Sequence, residues 1–335
     1  LVRLGLKRIA DQPRAGLAAL ARAVKCNLRQ ANLGEHLAQR VIPRLNAAGR
    51  LAHPTLALEL LLCENDSAAK ELAELLENLN KQRRTLSVAT EHQALAMLTG
   101  SRLADKPAIV LYDPHWHHGV MGIVATRLAE RYRKPVLLFA KEEGGYWRGS
   151  GRSAQGLDLH AVLEELSSHL GRYGGHAGAV GATVSTFGLE PFITEFQKAN
   201  ARRGAPDKPL PKVWEVDAEV PLNDLSYESV AGLHVLQPTG PENPAPVLAA
   251  RNLTIRRQET RGPEGEHLFV ELEDGSGRAE AIGFGMGALH PLGVALVDIV
   301  FVPMAERWQG RNRLTLKLLE IKPAFMSFKG TGPLT

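Results

Sequence analysis

The chain has 335 residues, 44% of them hydrophobic and 23% charged, with a formal net charge of +4 and two cysteines. That length predicts two or three domains, and the balance excludes a disordered chain and a disulfide framework. No apolar run reaches the roughly 18–20 residues of a membrane span, and no signal-peptide core opens the chain, so a cytoplasmic protein without membrane association is expected.

The first 66 residues read as helical. "RAGLAALARAVKC" at 14–26 and "PTLALELLLCEN" at 54–65 have helix-favouring apolar composition, and Pro43 and Gly49 in "VIPRLNAAGRL" interrupt the pattern between them. Asp66 or Ser67 is the expected cap of a long helix that ends before Gly100, with Leu72, Leu75, Leu76, Leu79 and Leu86 as its apolar positions. A helix of that length spans roughly 50 Å, which suits a connector over 67–102 between two domains. From 103 to 203 the texture is α/β: "PAIVLYD" and "KPVLLFA" are strands and "GVMGIVATRLAERYR" is the crossover helix, so a parallel or mixed sheet is predicted. A polar, proline-rich linker fills 204–212. Beyond it, at 213–325, five or six short strands and one short helix near 225–235 predict a small all-β barrel, an OB-fold first and a sandwich second. Residues 326–335 read as a flexible tail.

Four segments carry candidate chemistry. "RGSGRSAQGLDLH" at 148–160 reads as a glycine-rich loop that is either a plain surface turn or a phosphate cradle. In the second case its glycines admit the anion to backbone N–H groups, Ser150 and Ser153 add hydroxyls, Arg152 adds a planar fork, and the helix downstream adds its N-terminal dipole. "YGGHAGAVG" at 173–181 places His176 on a flexible turn after Gly174 and Gly175. "DPHWHHGVMGI" at 113–123 lies where the first strand of the βαβ unit ends. His115, His117 and His118 lack acidic partners for a metal, so a positioning role for His117 beside Gly119 and Gly122 is preferred. "PRLNAAGR" carries Arg44, Asn46 and Arg50 around small residues, as suits either a tight junction or a nucleotide contact. In the barrel, "ERWQGRNRLTLK" at 306–317 predicts a hairpin that gathers Arg307, Trp308, Arg311, Arg313 and Lys317 on one ribbon, and Arg251, Arg256, Arg257 and Arg261 form a second basic stretch. Aromatic and arginine side chains on a barrel are the ingredients of sequence-tolerant single-strand binding.

Taken in order, "WHHGVMGI", "GSGRSAQGLDL" and "GGHAGAVG", preceded by "PRLNAAGRL" and a long helix and followed by a barrel, resemble the C-terminal half of the RecJ family. Its members are single-strand-specific 5′→3′ exonucleases of the DHH phosphoesterase superfamily. The resemblance covers residues 1 to about 325. It implies that 1–66 ends a DHH domain, that 103–203 is a DHHA1 domain and that 213–325 is the family's OB-fold. It also implies that Ser150, Gly151, Arg152 and Ser153 hold a 5′-phosphate, that Gly174, Gly175 and Gly181 shape the same cleft, and that His176 contacts the reacting phosphate. Arg44, Asn46, Arg50 and His117 are assigned to the phosphate side, and Arg256, Arg257, Arg307, Trp308 and Arg311 to strand binding. The family's activity in DNA repair and recombination uses a divalent cation, Mn2+ or Mg2+. This sequence holds no Asp-His-His, so its metal ligands are expected upstream of Leu1, the chain is expected to be a fragment, and on its own it is expected to be inactive. Single-stranded DNA is the implied partner of a monomer, with a single-strand-binding protein or a helicase supplying the strand. A DHH-family oligonucleotide phosphatase and a non-catalytic strand-binding scaffold are the alternatives.

Overall fold

The computed structural model describes residues 1–29, 33–142, 144–153, 157–203, 213–240, 242–308 and 311–324, the side chains of 307 and 308 excepted. The linker at 204–212, the tail at 326–335, the 309–310 step of the expected hairpin and 154–156 of the glycine segment lie outside the described residues. Contacts divide the chain into two units. One takes Leu1–Ala10, Arg29–Glu35 and Lys212–Thr335, and the other Asp11–Leu28 and His36–Pro211. Residues 1–66, taken together from the sequence, are thus shared between the two units.

The helical part runs α1 (Val2–Asp11), α2 (Ala15–Ala23), α3 (Leu33–His36), a π-helical turn at Leu37–Val41, α4 (Ile42–Leu51), α5 (Thr55–Leu62) and α6 (Asp66–Leu98). Pro43 and Gly49 do not break α4. Pro43 follows directly on the π-helical turn, in the first turn of α4, and Gly49 is carried inside the helix. The cap of α6 is Asn65, not Asp66 or Ser67: its side chain accepts from the Ala68 N–H at 3.0 Å. The buried stripe of α6 is Ala69, Ala73, Leu76, Asn80, Ser87, Thr90, Ala94 and Leu98, whereas Leu75 and Leu86 face outward. Small residues let α2, α4 and α7 (His118–Tyr132) approach α6 closely, and this close approach decides the stripe.

The α/β part continues with β1 (Ile109–Tyr112), α7, β2 (Val136–Glu142), β3 (Tyr146–Arg152), α8 (Leu159–Glu165), β4 (Arg172–His176), β5 (Ala179–Ser185) and α9 (Leu189–Arg202). The strand order is β1-β2-β3-β5-β4; β1 and β2 are parallel and the other pairs antiparallel, so the sheet is mixed. Alternation along β2 feeds two cores. Leu137 and Phe139 join α8 and α9 through Val162, Phe192 and Phe196, while Val136, Leu138 and Ala140 join α6 and α7 through Met121, Val124 and Leu128.

The C-terminal unit holds β6 (Ala218–Glu219), α10 (Tyr227–Gly232), β7 (Leu248–Arg261), β8 (His267–Glu273), β9 (Arg278–Gly283), β10 (Leu296–Trp308) and β11 (Arg311–Pro323). The order β10-β11-β9-β8-β7 closes through a β7–β10 pairing, giving a five-stranded OB-fold barrel with β6 added beside β7. Leu253, Leu268, Val270, Ile299, Phe301 and Leu316 fill its interior.

The β8–β9 turn is tied to Leu222 by Asp274, which accepts from the N–H groups of Leu222, Ser276 and Gly277 and from the Ser276 hydroxyl at 2.6–2.9 Å. Partial burial would raise this carboxyl, but those donors hold it down at about 2. Because its folded pKa lies below the usual carboxylate value, the stabilisation is present above about pH 4 and disappears as the pH falls towards 2. Asp274 is half-buried at a surface turn, so screening reduces the effect to about 1 kcal/mol. Asp274→Asn is expected to lower stability by that amount at neutral pH and by almost nothing near pH 2, as read by urea titration at both. Equal losses at the two pH values would contradict the assignment.

Candidate phosphate-binding site

The glycine-rich segment is a strand, not a loop. Residues 146–152 pair with β2 on one side and β5 on the other, so the N–H groups of Gly149 and Gly151 lie within an antiparallel ladder. They do not form an anion nest. The two glycines serve packing instead: a Cβ on Gly149 would stand 2.5 Å from the Phe139 ring, and one on Gly151 would stand 2.7 Å from Val180 Cγ2 and 2.9 Å from Leu137 Cδ1. Strand alternation therefore turns Gly149 and Gly151 into the α8–α9 core and Arg148, Ser150 and Arg152 to the opposite face. The expected helix dipole is not a donor here either, because Asp158 caps α8 with its own carboxylate on the Ala161 N–H. Of the four residues expected at a phosphate, Gly151 is a packing residue, and Ser150 and Arg152 lie on the face of β3 opposite that core.

The "YGGHAGAVG" segment is a β-hairpin. His176 ends β4 opposite Ala179, and only Ala177 and Gly178 make the turn. His176 is therefore on the sheet face and not on a flexible turn. Its Nδ1 accepts from the Gly178 N–H at 3.3 Å, and the ring is exposed. Gly175 has φ +137°, and a Cβ there would stand 2.2 Å from the Ala179 carbonyl oxygen. Only glycine fits that position. By register Arg152, Ala179 and His176 share one row, and Ser150, Gly181 and Gly174 the next. Arg152 and His176 are thus two strands apart, about 9.5 Å between backbones.

α7 runs beside β3 and completes the site. His117 caps α7, its Nδ1 accepting from the Gly119 N–H at 3.0 Å, which leaves the Nε2 proton directed elsewhere. A Cβ on Gly119 would stand 2.1 Å from the Arg50 carbonyl oxygen, so α4 and α7 meet backbone to backbone. An Arg50 guanidinium nitrogen donates to the Gly119 carbonyl at 3.2 Å. One turn on, Arg152 lies over Gly122, 3.0 Å from where its Cβ would be. The structure therefore brings His117, Arg50 and Arg152 to one stretch of α7. Burial first, and then the Arg50 charge, lower the Arg152 pKa. The side chain donates to the Gly151 carbonyl at 2.7 Å, and among the described residues no carboxylate pairs with Arg152 or Arg50. Two guanidiniums held close without a counterion form a site for an anion.

The surroundings extend that positive character. Arg83, not singled out in the sequence, donates to Asn80 Oδ1 at 3.0 Å, and its pKa is lowered by burial and then by Arg50, Arg127, Arg84 and Arg44. Arg44 has a different duty, a 2.7 Å ion pair with Glu77 that ties α4 to α6. Asn46 is exposed on α4. Trp116 is buried and donates to Gln93 Oε1 at 2.8 Å, fixing the histidine segment to α6. Arg148 and Arg172, on β3 and β4, are not singled out in the sequence, where Arg148 falls in the glycine segment expected as a loop. Read as a strand, Arg-x-Ser-x-Arg places every second residue on one face.

In the barrel, Arg256 forms a two-point pair with Glu273 at 2.8 and 2.9 Å, and Arg257 pairs with Glu259 at 2.6 Å. Both are already neutralised, so neither stands free for a phosphate. Arg256→Ala is expected to change affinity for a single-stranded oligonucleotide less than about twofold at 0.1 M salt, because the group it removes is already paired. A larger loss by fluorescence anisotropy would show that Glu273 yields to DNA. Register places Trp308 opposite Arg311, Glu306 opposite Arg313 and Val302 opposite Lys317, so Arg311, Arg313 and Lys317 share one face of the ribbon. The Arg307 and Trp308 side chains lie outside the described residues, and Arg311 is exposed.

Among the described residues no group of three or more His, Cys, Asp or Glu is placed to hold a metal ion. Of the histidines at 115–118, His117 caps α7, and burial lowers the His118 pKa. The donor set of a divalent cation is therefore not supplied by these residues.

A mixed sheet with a guanidinium–hydroxyl face, followed by a five-stranded barrel, defines a DHHA1 domain joined to an OB-fold. The family description "DHHA1 domain" matches residues 105–202, and "RecJ OB domain" matches 216–320. The chain is 30% identical over 318 residues to the single-stranded-DNA-specific exonuclease RecJ of Bacillus subtilis, covering 94% of this chain and 40% of that protein. It is likewise 30% identical over 341 residues to RecJ of Escherichia coli, covering 95% and 56%. The crystal structure of Thermus thermophilus RecJ with Mg2+ superposes with a TM-score of 0.78 at 30% identity, covering 95% of this chain and 48% of that one. The Mn2+ complex from the same organism gives 0.78 at 29% identity. The chain thus carries a DHHA1 domain and a RecJ OB domain and is similar to RecJ proteins along nearly its whole length, and it spans about half the length of the curated relatives it matches.

Proposed function

We propose that this chain is the strand-gripping portion of a single-stranded-DNA-specific 5′→3′ exonuclease, in which Arg152, Ser150 and Arg50 hold the 5′-terminal phosphate. The observation that carries this reading is the convergence of Arg50 and Arg152 on Gly119 and Gly122 of α7 without a carboxylate partner. A terminal phosphomonoester, with its extra charge and three free oxygens, satisfies two forks and a hydroxyl better than an internal diester does. Anchoring the end at a fixed place sets polarity: cleavage occurs only at the distance the anchor permits. His176, exposed on the same face two strands away, is suited to reach the next phosphate, and Gly174 and Gly181 keep the floor between them low.

Mn2+- and Mg2+-bound relatives support a metal-assisted hydrolysis, in which the cation would polarise the phosphodiester and lower the pKa of water. The residues described here do not hold such a cation, so its ligands belong to the part of the relatives that this chain does not span. We accordingly expect binding, but no hydrolysis, from this chain alone. The domain assignment that follows is 1–66 as the end of a DHH region, 67–102 as connector, 103–203 as DHHA1 and 213–325 as OB-fold. No helix of the described chain is long and apolar enough to cross a membrane. A cytoplasmic monomer that takes single strands from a single-strand-binding protein or a helicase, in DNA repair and recombination, fits this reading.

The test is affinity for one short single strand with and without a 5′-phosphate at fixed salt. The reading requires tighter binding of the phosphorylated strand. Equal affinities would reject it and leave a non-catalytic strand-binding module.

A further inference from the structure

The row that holds Arg152 is not the last on the open sheet face. By register Arg148, Thr183 and Arg172 form another row across β3, β5 and β4, four residues along β3 from Arg152. Between them lies the Ser150–Gly181–Gly174 row. A Cβ on Gly174 would meet nothing within 4 Å, and one on Gly181 would meet only the Gly149 carbonyl oxygen at 3.8 Å, so these glycines are not demanded by packing. They leave a low, open floor with arginines at both ends.

We propose that Arg148 and Arg172 form a second anion subsite, which takes an internal phosphodiester of the strand whose terminal phosphate is held at Arg152. This rests on the reading of Arg152 as the end anchor. Four strand residues span about 13 Å, farther than one phosphate can bridge, so the two rows address different phosphates. Arg148 and Arg172 stand two strands apart, about 9.5 Å between backbones, and their long side chains can converge on one phosphate above the Thr183 hydroxyl. Both arginines are available. Arg172 is exposed and has no recorded ion pair among the described residues, and Arg148 meets Glu142 only at 3.5 Å, with side-chain exposures of 59% and 40%. So loose a pair yields to an anion far more readily than the two-point Arg256–Glu273 pair of the barrel does.

The test compares thymidine 5′-monophosphate with a 5′-phosphorylated thymidine tetranucleotide as ligands of the full chain. The mononucleotide reaches only the Arg152 row. The double variant Arg148→Ala/Arg172→Ala should weaken tetranucleotide binding about tenfold and leave the mononucleotide within about twofold, while the slope of log affinity against log salt falls by about 1.4 for two lost contacts. Arg148→Lys/Arg172→Lys, which retains both charges, should recover most of the tetranucleotide affinity. An unchanged tetranucleotide affinity, or an equal loss for both ligands, overturns the subsite. The anchor is tested separately: if Arg152→Ala leaves the preference for a 5′-phosphate intact while the double variant still shows a length-selective loss, the anchor reading fails and the arginine subsite stands.

Discussion

Arg152→Ala is expected to reduce the affinity for a 5′-phosphorylated single strand to that for the same strand with a 5′-hydroxyl, and to leave the latter unchanged. A guanidinium–phosphate contact of this kind contributes about 1.5–3 kcal/mol, so the loss is about 10- to 100-fold at low salt. Folding stability should change little. Among the described residues the side chain donates to the neighbouring Gly151 carbonyl, and its removal relieves its repulsion with Arg50. Arg152→Lys keeps the charge without the planar fork and should fall between wild type and alanine. The 5′-phosphate increment should also shrink below about pH 6, where a phosphomonoester takes up its second proton while the arginines stay charged. Isothermal titration with the two strands at pH 5 and pH 8 measures all three effects. A parallel loss for both strands would assign Arg152 to general backbone binding, and no loss for either would make it structural.

The segments that the structure brings together were legible in the sequence, and their local conformation was not. The motif order placed "GSGRS", "GGHAGAVG" and "HHGVMGI" in one α/β domain, and the βαβ unit with its crossover helix α7 is as the apolar runs "PAIVLYD" and "KPVLLFA" on either side of an amphipathic segment suggest. The glycine segment misled because Gly, Ser and Arg have low strand propensity, whereas tertiary context decides such strands. Phe139, Leu137 and Val180 fill the space that side chains at 149 and 151 would have taken, so the glycines that suggest a loop are what allow the strand to pack. The long helix misled in a similar way. Its leucines are the apolar positions in the sequence, and Leu76 is buried, but close helix–helix approach put Ala69, Ala73, Ser87 and Ala94 in the stripe as well and left Leu75 and Leu86 outside. The partnering of the barrel arginines could not be read at all. Glu273 and Glu259 lie near Arg256 and Arg257 through strand pairing and local geometry, and composition counts charges without pairing them.

The two glycines of α7 separate the fold from the site. Gly119→Ala should destabilise the chain by about 2–3 kcal/mol, because the added methyl would stand 2.1 Å from a backbone carbonyl oxygen, that of Arg50, and neither helix can move aside cheaply. The same displacement withdraws the Arg50 guanidinium from the Gly119 carbonyl, so the 5′-phosphate increment should fall with the stability. Gly122→Ala differs in kind. Its methyl would meet only the end of the Arg152 side chain at 3.0 Å, a flexible group that can swing away. Stability should stay within about 0.5 kcal/mol, as a glycine-to-alanine change in a helix also brings a propensity gain. Binding of the phosphorylated strand should nevertheless weaken several-fold, because the fork is moved off its anchor position. Urea melts and the paired-strand titration on both variants separate the outcomes. A Gly122→Ala protein that binds the 5′-phosphate like wild type would mean that Arg152 reaches the phosphate from another rotamer, and that α7 is a neighbour of the site but not its wall.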